Sequence, residues 1–205
     1  MSRPTHLTRK GAERAEQILE ATLRCLARDG YADTSLQRVA EEAGVPKRAI
    51  SYYFVSRDGL LIKAADHLIA RLVGQIMQAV EALDDADSII DIGLSASWDG
   101  LTRDRALLVA WLGLQTEAIT NPSLAPAAVA ASDQLRRMID ALIDAHRARG
   151  GQLMFPQQTV QITTLAWLQG LALEWASTGS TPALEDAIDA FRAWLKAAAH
   201  PPSRL

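Results

Sequence analysis

Apolar residues recur every three or four positions along most of this chain, which is the spacing of one face of an α-helix. No segment shows the sustained alternation of apolar and polar residues that is typical of a β-strand. Glycine, proline and short polar clusters interrupt the helical pattern, and they leave neither an internal repeat nor a long flexible linker. The pattern predicts an all-α fold of about nine helices.

Local signals suggest where individual helices begin and end. Gly30 is expected to end the first helix, Ser56 to cap a long connecting helix, and Gly100 to precede a helix farther along. The acidic segment 84–88 predicts a break followed by the N-terminus of another helix. The predicted ranges of the longer helices are 11–29, 57–83, 102–119, 124–150, 156–178 and 182–199.

A short helix, a tight turn and a second short helix are predicted for residues 34–61, TSLQRVAEEAGVPKRAISYYFVSRDGLL. Thr34 and Gln37 have the spacing of a capping box at the start of the first short helix. Gly44 suits the left-handed conformation in which many helices end. The helical spacing of Ile50 and Phe54 predicts that both anchor the second short helix in an apolar interior.

The opposite face of the second short helix is expected to carry Lys47, Arg48, Ser51 and Tyr52. Cationic and hydroxyl side chains are the groups with which proteins contact phosphates and base edges of DNA. A short helix that presents these groups together therefore predicts a nucleic-acid-binding surface.

The distribution of charge favours the same end of the chain. Residues 1–57 hold 10 Lys and Arg against 7 Asp and Glu, whereas residues 58–205 hold 11 against 17. The chain as a whole has a net charge of −3, so a basic N-terminal region is joined to an acidic remainder. Scattered surface charge without a partner is the alternative explanation, because the imbalance is small.

Three blocks of the N-terminal region resemble the DNA-binding domain of the TetR family of transcriptional regulators. The blocks are Ile18–Leu19–Glu20–Ala21 with Gly30–Tyr31, then Val39–Ala40–Glu41–Glu42–Ala43–Gly44–Val45, then Tyr52–Tyr53–Phe54 with Ser56–Arg57 and Leu60–Leu61. They span residues 13–62, and the remaining two thirds of the chain is similar to the family only in length and helical character. The resemblance implies a three-helix helix-turn-helix domain in residues 1–56 and a helical bundle for ligand binding and dimerisation in residues 57–205.

The resemblance also implies a set of contacts with double-stranded DNA. Lys47 and Arg48 are expected to lie against the major groove, and Gln37 to reach a base edge. The other residues assigned to this surface, mostly for phosphate contacts, are Thr34, Ser35, Ala49, Ser51, Tyr52, Tyr53 and Arg57. Ser51 stands where the family often has tyrosine, and Arg48 stands where a small residue is common, which favours an additional contact of Arg48 with guanine.

The last two predicted helices are the most apolar part of the chain, and the TetR family pairs such helices between two copies. The resemblance therefore implies a homodimer on a palindromic operator, since each copy reads one half-site. The residues assigned to the dimer interface are Trp175, Leu184, Ile188, Phe191 and Trp194. Burial of the same residues inside the bundle of a single chain is the alternative.

All five tryptophans follow residue 97, which suggests a pocket for a small, partly apolar effector in the second domain. The residues assigned to this pocket are His67, Arg71, Trp98, Trp111, Gln115, Trp167 and Leu171. Ordinary core packing of the tryptophans is the alternative.

Catalytic and metal-binding interpretations find little support. The four histidines are far apart in sequence and show no metal-ligand spacing with Cys25 or with a carboxylate pair, and Cys25 is expected to pack in the core. No nucleotide-binding or hydrolase signature is present, so we expect no cofactor and no enzymatic activity. The chain has no secretory signal and no membrane-length apolar segment, which predicts a cytoplasmic protein.

The combined prediction is a repressor that a small molecule releases from its operator. A DNA-binding regulator without an effector and an all-α enzyme are the two alternatives.

Overall fold

The computed structural model describes residues 9–200, which fold into nine α-helices and one short 3-10 helix. The helices are α1 (Arg9–Asp33), α2 (Leu36–Glu42), α3 (Lys47–Tyr53), α4 (Arg57–Val80), α5 (Ala86–Arg103), α6 (Arg105–Thr120), α7 (Ala125–Ala148), α8 (Gln157–Thr178) and α9 (Pro182–Ala199). The 3-10 helix, Pro122–Leu124, connects α6 to α7. The all-α prediction is confirmed, and the segment of residues 1–8 in the predicted first domain lies outside the described residues.

Gly30 interrupts α1 close to its C-terminal end. Its backbone has φ 83° and ψ 175°, a conformation that is open almost exclusively to glycine. The chain beyond Gly30 turns Tyr31 into the interior, where its side chain is 6% exposed. The predicted end of the first helix is therefore a kink, after which one more helical turn follows.

The start of α2 differs from the capping box that the sequence suggested. Ser35 is the N-cap, and its hydroxyl oxygen accepts a hydrogen bond from the backbone N–H of Arg38 at 3.3 Å. Thr34 instead donates its hydroxyl to the carbonyl of Gly30 at 2.7 Å, which closes the kink after α1. The predicted pairing of Thr34 with Gln37 is wrong, because the bend at Gly30 takes the Thr34 hydroxyl. At the other end of α2, Gly44 has φ +62° as predicted.

The helix-turn-helix is built on a continuous apolar core. Its buried members are Ile18, Ala21, Cys25, Val39, Ala40, Ala43, Val45, Ile50, Phe54 and Leu60. These residues come from α1, α2, α3, the start of α4 and the connections that follow α2 and α3, so each short helix is fixed by packing rather than by its own length. Cys25 is fully buried, and burial raises the pKa of its thiol, which confirms its expected place in the core.

The boundary between α5 and α6 lies at Asp104 and not at Gly100, which corrects the predicted helix start. The carboxylate of Asp104 caps α6 by accepting hydrogen bonds from the backbone N–H groups of Ala106 and Leu107. Gly100 lies inside α5, where an added Cβ would stand 2.3 Å from Cδ1 of Leu72. Gly100 therefore marks a close contact between α5 and the end of the Leu72 side chain, although an isolated glycine in a sequence also resembles a helix end.

Packing divides the chain into two compact units. One unit comprises residues Met1–Leu68 and Asp104–Ala128, and the other comprises Ile69–Arg103 and Val129–Leu205. Helices α4 and α7 contribute to both units. The predicted functional boundary between residues 56 and 57 stays a prediction. Within residues 9–200, every helix falls short of the combination of length and apolarity needed to cross a bilayer.

Candidate nucleic-acid interface

Helix α3 has an anchored side and an exposed side, as its sequence predicted. Ile50 is fully buried, and Phe54, which follows the helix, is 9% exposed. Lys47, Arg48 and Tyr52 project on the solvent side, and the Tyr52 side chain is 67% exposed. The buried pair fixes the orientation of α3, so the cationic and aromatic groups form a defined outer surface.

The two cations of α3 differ from the arginines around them. Arg24 and Arg28 bind the carboxylate of Glu42 at 2.7 and 2.9 Å, and Arg38 lies 3.4 Å from Asp29. Lys47 and Arg48, by contrast, form no ion pair with any residue between 9 and 200. Their charge is available to an external anion, which makes α3 the most suitable element for contact with phosphates.

Helix α2 supports α3 and presents a smaller polar surface of its own. Gln17 of α1 donates its side-chain amide to the carbonyl of Ala43 at 2.9 Å, which fixes the end of α2. Gln37 is exposed on α2, and its amide donates to the carboxylate of Glu41 at 2.7 Å. The Ser35 hydroxyl accepts its capping bond and keeps its own proton for another acceptor. Gln37 and Ser35 therefore stay predicted DNA contacts.

Thr34 is not available to a phosphate. Its residue is 1% exposed, and its hydroxyl is directed to the carbonyl of Gly30. The assignment of Thr34 to DNA contact is wrong, because the side chain closes the connection between α1 and α2 from the inside.

Arg57, like Thr34, is hydrogen-bonded to backbone carbonyls of its own chain, and it makes three such bonds. Its Nε donates to the carbonyl of Thr34 at 2.7 Å, and its Nη2 donates to the carbonyls of Ala32, at 3.0 Å, and Tyr31. The guanidinium also lies 5.5 Å from the centre of the Tyr31 ring, a cation–π distance. Arg57 thus satisfies three carbonyls of the α1–α2 connection, and its predicted phosphate contact is corrected to a structural role.

Two further members of the predicted surface lie at its edge. Ala49 is half-buried and packs against the apolar core, so its methyl group is removed from the set of DNA contacts. Tyr53 packs against the same core and meets Tyr52 edge-to-face, with ring centres 5.0 Å apart. The exposed set that remains on α3 is Lys47, Arg48, Ser51 and Tyr52.

The residues assigned to the ligand pocket are distributed over both packing units. His67, Trp111 and Gln115 belong to the first unit, and Arg71, Trp98, Trp167 and Leu171 belong to the second. Arg71 is exposed, and the imidazole of His67 faces Glu16 and Glu20 of α1, so the two α4 residues are directed away from an apolar interior. Trp98 and Leu171 are half-buried, and the pocket itself stays a prediction.

Trp111 is buried and keeps one polar atom unpaired. Its side chain is 2% exposed, and its indole Nε1, a hydrogen-bond donor, is buried without a partner among the described residues. In the second unit the Thr164 hydroxyl is likewise buried without a partner within residues 9–200. Buried polar atoms are nearly always satisfied, so each of these two donors suits a bound small molecule or water.

The aromatic residues of α8 and α9 form a stack inside the second unit. Phe191 lies 5.0 Å from Trp167 and 6.3 Å from Trp194, measured between ring centres, and Phe155 stacks on Trp194 at 6.0 Å. Phe191 is fully buried and Leu184 is 4% exposed in the single chain. Their assignment to a dimer interface is therefore wrong, because neither side chain offers surface to a second copy.

The apolar surface that α8 leaves exposed lies on its other side. It consists of Ile162, Ala166, Gly170 and Leu173, which follow one another at helical spacing. Ile162 is 53% and Leu173 is 59% exposed. We call these four residues the α8 stripe. A sequence signal for it existed, because α8 is apolar nearly all round and only part of it can face one core.

Known proteins with similar sequences and folds bear on the role of the helix-turn-helix formed by α2 and α3. The family described as bacterial regulatory proteins, tetR family, matches residues 18–64. The nicotine-responsive transcriptional repressor HdnoR of Paenarthrobacter nicotinovorans is 24% identical over 177 residues, covering 86% of this chain and 91% of that protein. A TetR transcription regulator from Haloarcula marismortui has a TM-score of 0.75 at 25% identity, covering 92% of this chain and 100% of that chain. A transcriptional regulator from Saccharomonospora viridis, solved with choline, has a TM-score of 0.74 at 20% identity, covering 90% and 96%.

The matched span contains α2, α3 and the parts of α1 and α4 that form their core, so the family profile and the geometry identify the same helices. The similar proteins are regulators and not enzymes, which sets aside the all-α enzyme alternative. Residues 18–64 therefore form a helix-turn-helix of the tetR family of bacterial regulatory proteins, and the chain as a whole is similar in sequence and fold to transcriptional regulators.

Proposed function

We propose that this regulator is a repressor that binds a palindromic operator as a homodimer and leaves it when a small molecule binds. The observation that carries the proposal is the outer face of α3, where Lys47 and Arg48 are exposed and unpaired within residues 9–200 while Ile50 anchors the helix. In a two-fold dimer, two such helices read half-sites about 34–36 Å apart.

Within each half-site, Arg48 reads a guanine in the major groove and Lys47 neutralises a phosphate. The guanidinium of arginine matches the two acceptors of guanine, O6 and N7, whereas the ammonium of lysine acts as a point charge. Tyr52 and Ser51 add hydroxyls on the same face and position the helix along the backbone.

Binding to DNA upstream of the protein's own gene, measured by gel shift and fluorescence anisotropy, tests the proposed DNA contacts of α3. Arg48→Ala should weaken operator binding by about 1–3 kcal/mol and relax the preference at one base pair of each half-site. Lys63→Ala is the matched control, because Lys63 is an exposed cation of α4 that pairs with Asp66 and lies outside α3. Equal affinity and equal sequence preference for Arg48→Ala and wild type would remove Arg48 from the reading surface.

The dimer part of the proposal is supported by the α8 stripe. A row of exposed apolar side chains with a glycine and an alanine between them allows two helices to approach closely, and it leaves apolar surface in water when the chain is alone. The repressor needs two linked copies, because one short helix in one half-site gives neither the affinity nor the spacing of a palindromic site.

The effector part of the proposal is supported by two observations. Trp111 holds a buried N–H without a protein acceptor among the described residues, and HdnoR, which covers most of this chain, is a nicotine-responsive repressor. The regulator from Saccharomonospora viridis holds choline in the same fold. We infer a small effector with a hydrogen-bond acceptor for Trp111 and enough apolar surface to pack on its ring.

Release follows from coupling through α4, which contributes residues to both packing units and begins at the end of the helix-turn-helix. A ligand that changes the packing of α4 alters the spacing of the two α3 helices and mismatches both half-sites together. A hundredfold preference of the ligand for the DNA-free state corresponds to about 2.7 kcal/mol of coupling, and operator DNA must weaken ligand binding by the same factor.

A small-molecule library titrated by tryptophan fluorescence, followed by operator release with each binder, separates the remaining alternatives. Binders should quench the fluorescence and displace the operator, and Trp111→Phe should bind them more weakly because it lacks the indole N–H. A regulator without an effector is the conclusion if every binder leaves operator affinity unchanged.

A further inference from the structure

Two glutamates of α1 and one histidine of α4 converge at the surface of the first packing unit. Glu16 and Glu20 are four residues apart and therefore lie on the same side of α1. The Nε2 of His67 lies 3.8 Å from Oε1 of Glu16 and 3.9 Å from Oε1 of Glu20. One ligand atom from each of the three side chains lies within 4.8 Å of the other two.

The spacing of these atoms is suited to an ion held between them. Both distances exceed hydrogen-bond length, so neither carboxylate forms a direct hydrogen bond with Nε2 of His67. Zinc bonds of about 2.1 Å in tetrahedral geometry place neighbouring ligand atoms about 3.4 Å apart. The two histidine–carboxylate distances exceed this by about half an ångström, and all three side chains are partly exposed, so small side-chain rotations would bring the ligand atoms to that spacing.

We propose that Glu16, Glu20 and His67 form a binding site for a divalent transition-metal ion that joins α1 to α4. The imidazole nitrogen selects zinc, cobalt and nickel over magnesium and calcium, which prefer oxygen ligands alone. Two carboxylates supply the negative charge that offsets the ion, and water completes its coordination. The ion ties the first helix of the DNA-reading region to the helix that continues into the second unit.

The sequence alone predicted no metal site, because the histidine lies 47 and 51 positions after the two glutamates. The pair of glutamates at helical spacing was visible, but its third ligand is brought in only by the packing of α4 against α1. The site is independent of the proposed repressor function and of the small-molecule effector.

Calorimetric titration of the full chain with ZnCl₂, after dialysis against a chelator, tests the proposal. Wild type should bind one zinc ion per chain, and MgCl₂ should bind far more weakly. His67→Asn and Glu20→Gln should each weaken zinc binding by at least about tenfold, since even loss of a group that supports a ligand has that effect. Glu13→Gln is the matched control, because Glu13 is an exposed glutamate of α1 that pairs with Arg9.

Two further measurements distinguish the loss of the zinc site from the loss of the fold. Far-ultraviolet circular dichroism should give the same helix content for every variant, and zinc should raise the Tm of wild type and of Glu13→Gln but not of His67→Asn. Cobalt in place of zinc should produce visible absorption bands that are absent in His67→Asn. Failure of wild type to bind zinc, equal zinc affinity in His67→Asn, or equal affinity for magnesium would each overturn the proposal.

Discussion

Gly113 of α6 packs directly against the side chain of Tyr31, the residue that follows the kink in α1. A Cβ at this position would lie 2.7 Å from Cβ and 2.8 Å from two ring-side atoms of Tyr31, which is itself buried. The guanidinium of Arg57 contacts the Tyr31 ring and donates to the Tyr31 carbonyl, which restrains the side chain that the added Cβ would meet. Glycine at position 113 is thus required by a side chain 82 positions earlier in the sequence.

Replacing Gly113 by alanine should therefore destabilise the fold, by about 1–3 kcal/mol, because the added methyl group overpacks a rigid site. Gly74→Ala is the control, since Gly74 lies on the exposed side of α4 with nothing within 4 Å of an added Cβ. That variant should gain up to about 1 kcal/mol from helix propensity. Urea unfolding of both variants measures the contrast, and a neutral Gly113→Ala would show that Tyr31 yields.

The sequence predicted residue roles well where they depend on local pattern. Lys47 and Arg48 follow from the helical phase set by Ile50, and all three lie as expected. It failed for Thr34 and Arg57, because their hydrogen bonds depend on the kink at Gly30 and reach back across as many as 26 positions. A polar residue beside a DNA-reading helix can serve the backbone of its own domain, and the pattern does not distinguish the two roles.

At the scale of elements, α1 and α2 are joined by a network of charged side chains. Glu42 of α2 accepts hydrogen bonds from Arg24 and Arg28 of α1, which lower the pKa of its carboxyl group. Asp29 is bound by Arg28 and Arg38, and its pKa is lowered mainly by the bond from Arg28. The network fixes the angle of α2 on α1 and with it the position of α3.

This network should make the fold sensitive to acid. A carboxyl whose pKa is lowered by folding stabilises the protein above the unfolded pKa, about 4, and that contribution is lost as the pH falls through the lower folded value. Glu42→Gln lacks the charge, so its Tm should fall less than that of wild type between about pH 6 and about pH 3. Glu41→Gln should behave as wild type, because Glu41 has no arginine partner among residues 9–200. Parallel Tm curves for Glu42→Gln and wild type would contradict this role.

Most element boundaries were predictable from local chemistry. The Ser56 cap of α4, the break before α5 and the starts of α8 and α9 at Pro156 and Thr181 depend on residues next to the boundary. The start of α6 was not predictable in this way. Gly100 serves the contact with Leu72 inside α5, and the boundary is set by the Asp104 cap.

At the scale of the whole molecule, the sequence predicted which helices form the proposed dimer interface but not which of their sides stay exposed. The stripe of α9 that contains Phe191 was conspicuous because it is apolar and periodic, and it belongs to the core of the single chain. Helix α8 is apolar around its circumference, so periodicity alone gives no direction for its second face. The fold shows which residues remain exposed, and these redirect the predicted interface to the α8 stripe.

Leu173→Glu tests the redirected interface more cleanly than a change at Phe191, because Leu173 is 59% exposed in the single chain and the variant should fold normally. In a dimer the same change buries a charge against an apolar surface, so the variant should be monomeric by light scattering and should lose operator binding. Ile119→Glu is the control, since Ile119 is 81% exposed on α6, outside the α8 stripe. It should remain dimeric and bind the operator. A dimeric Leu173→Glu would exclude the α8 stripe as the interface, and a monomeric wild type at micromolar concentration would exclude the proposed dimer itself.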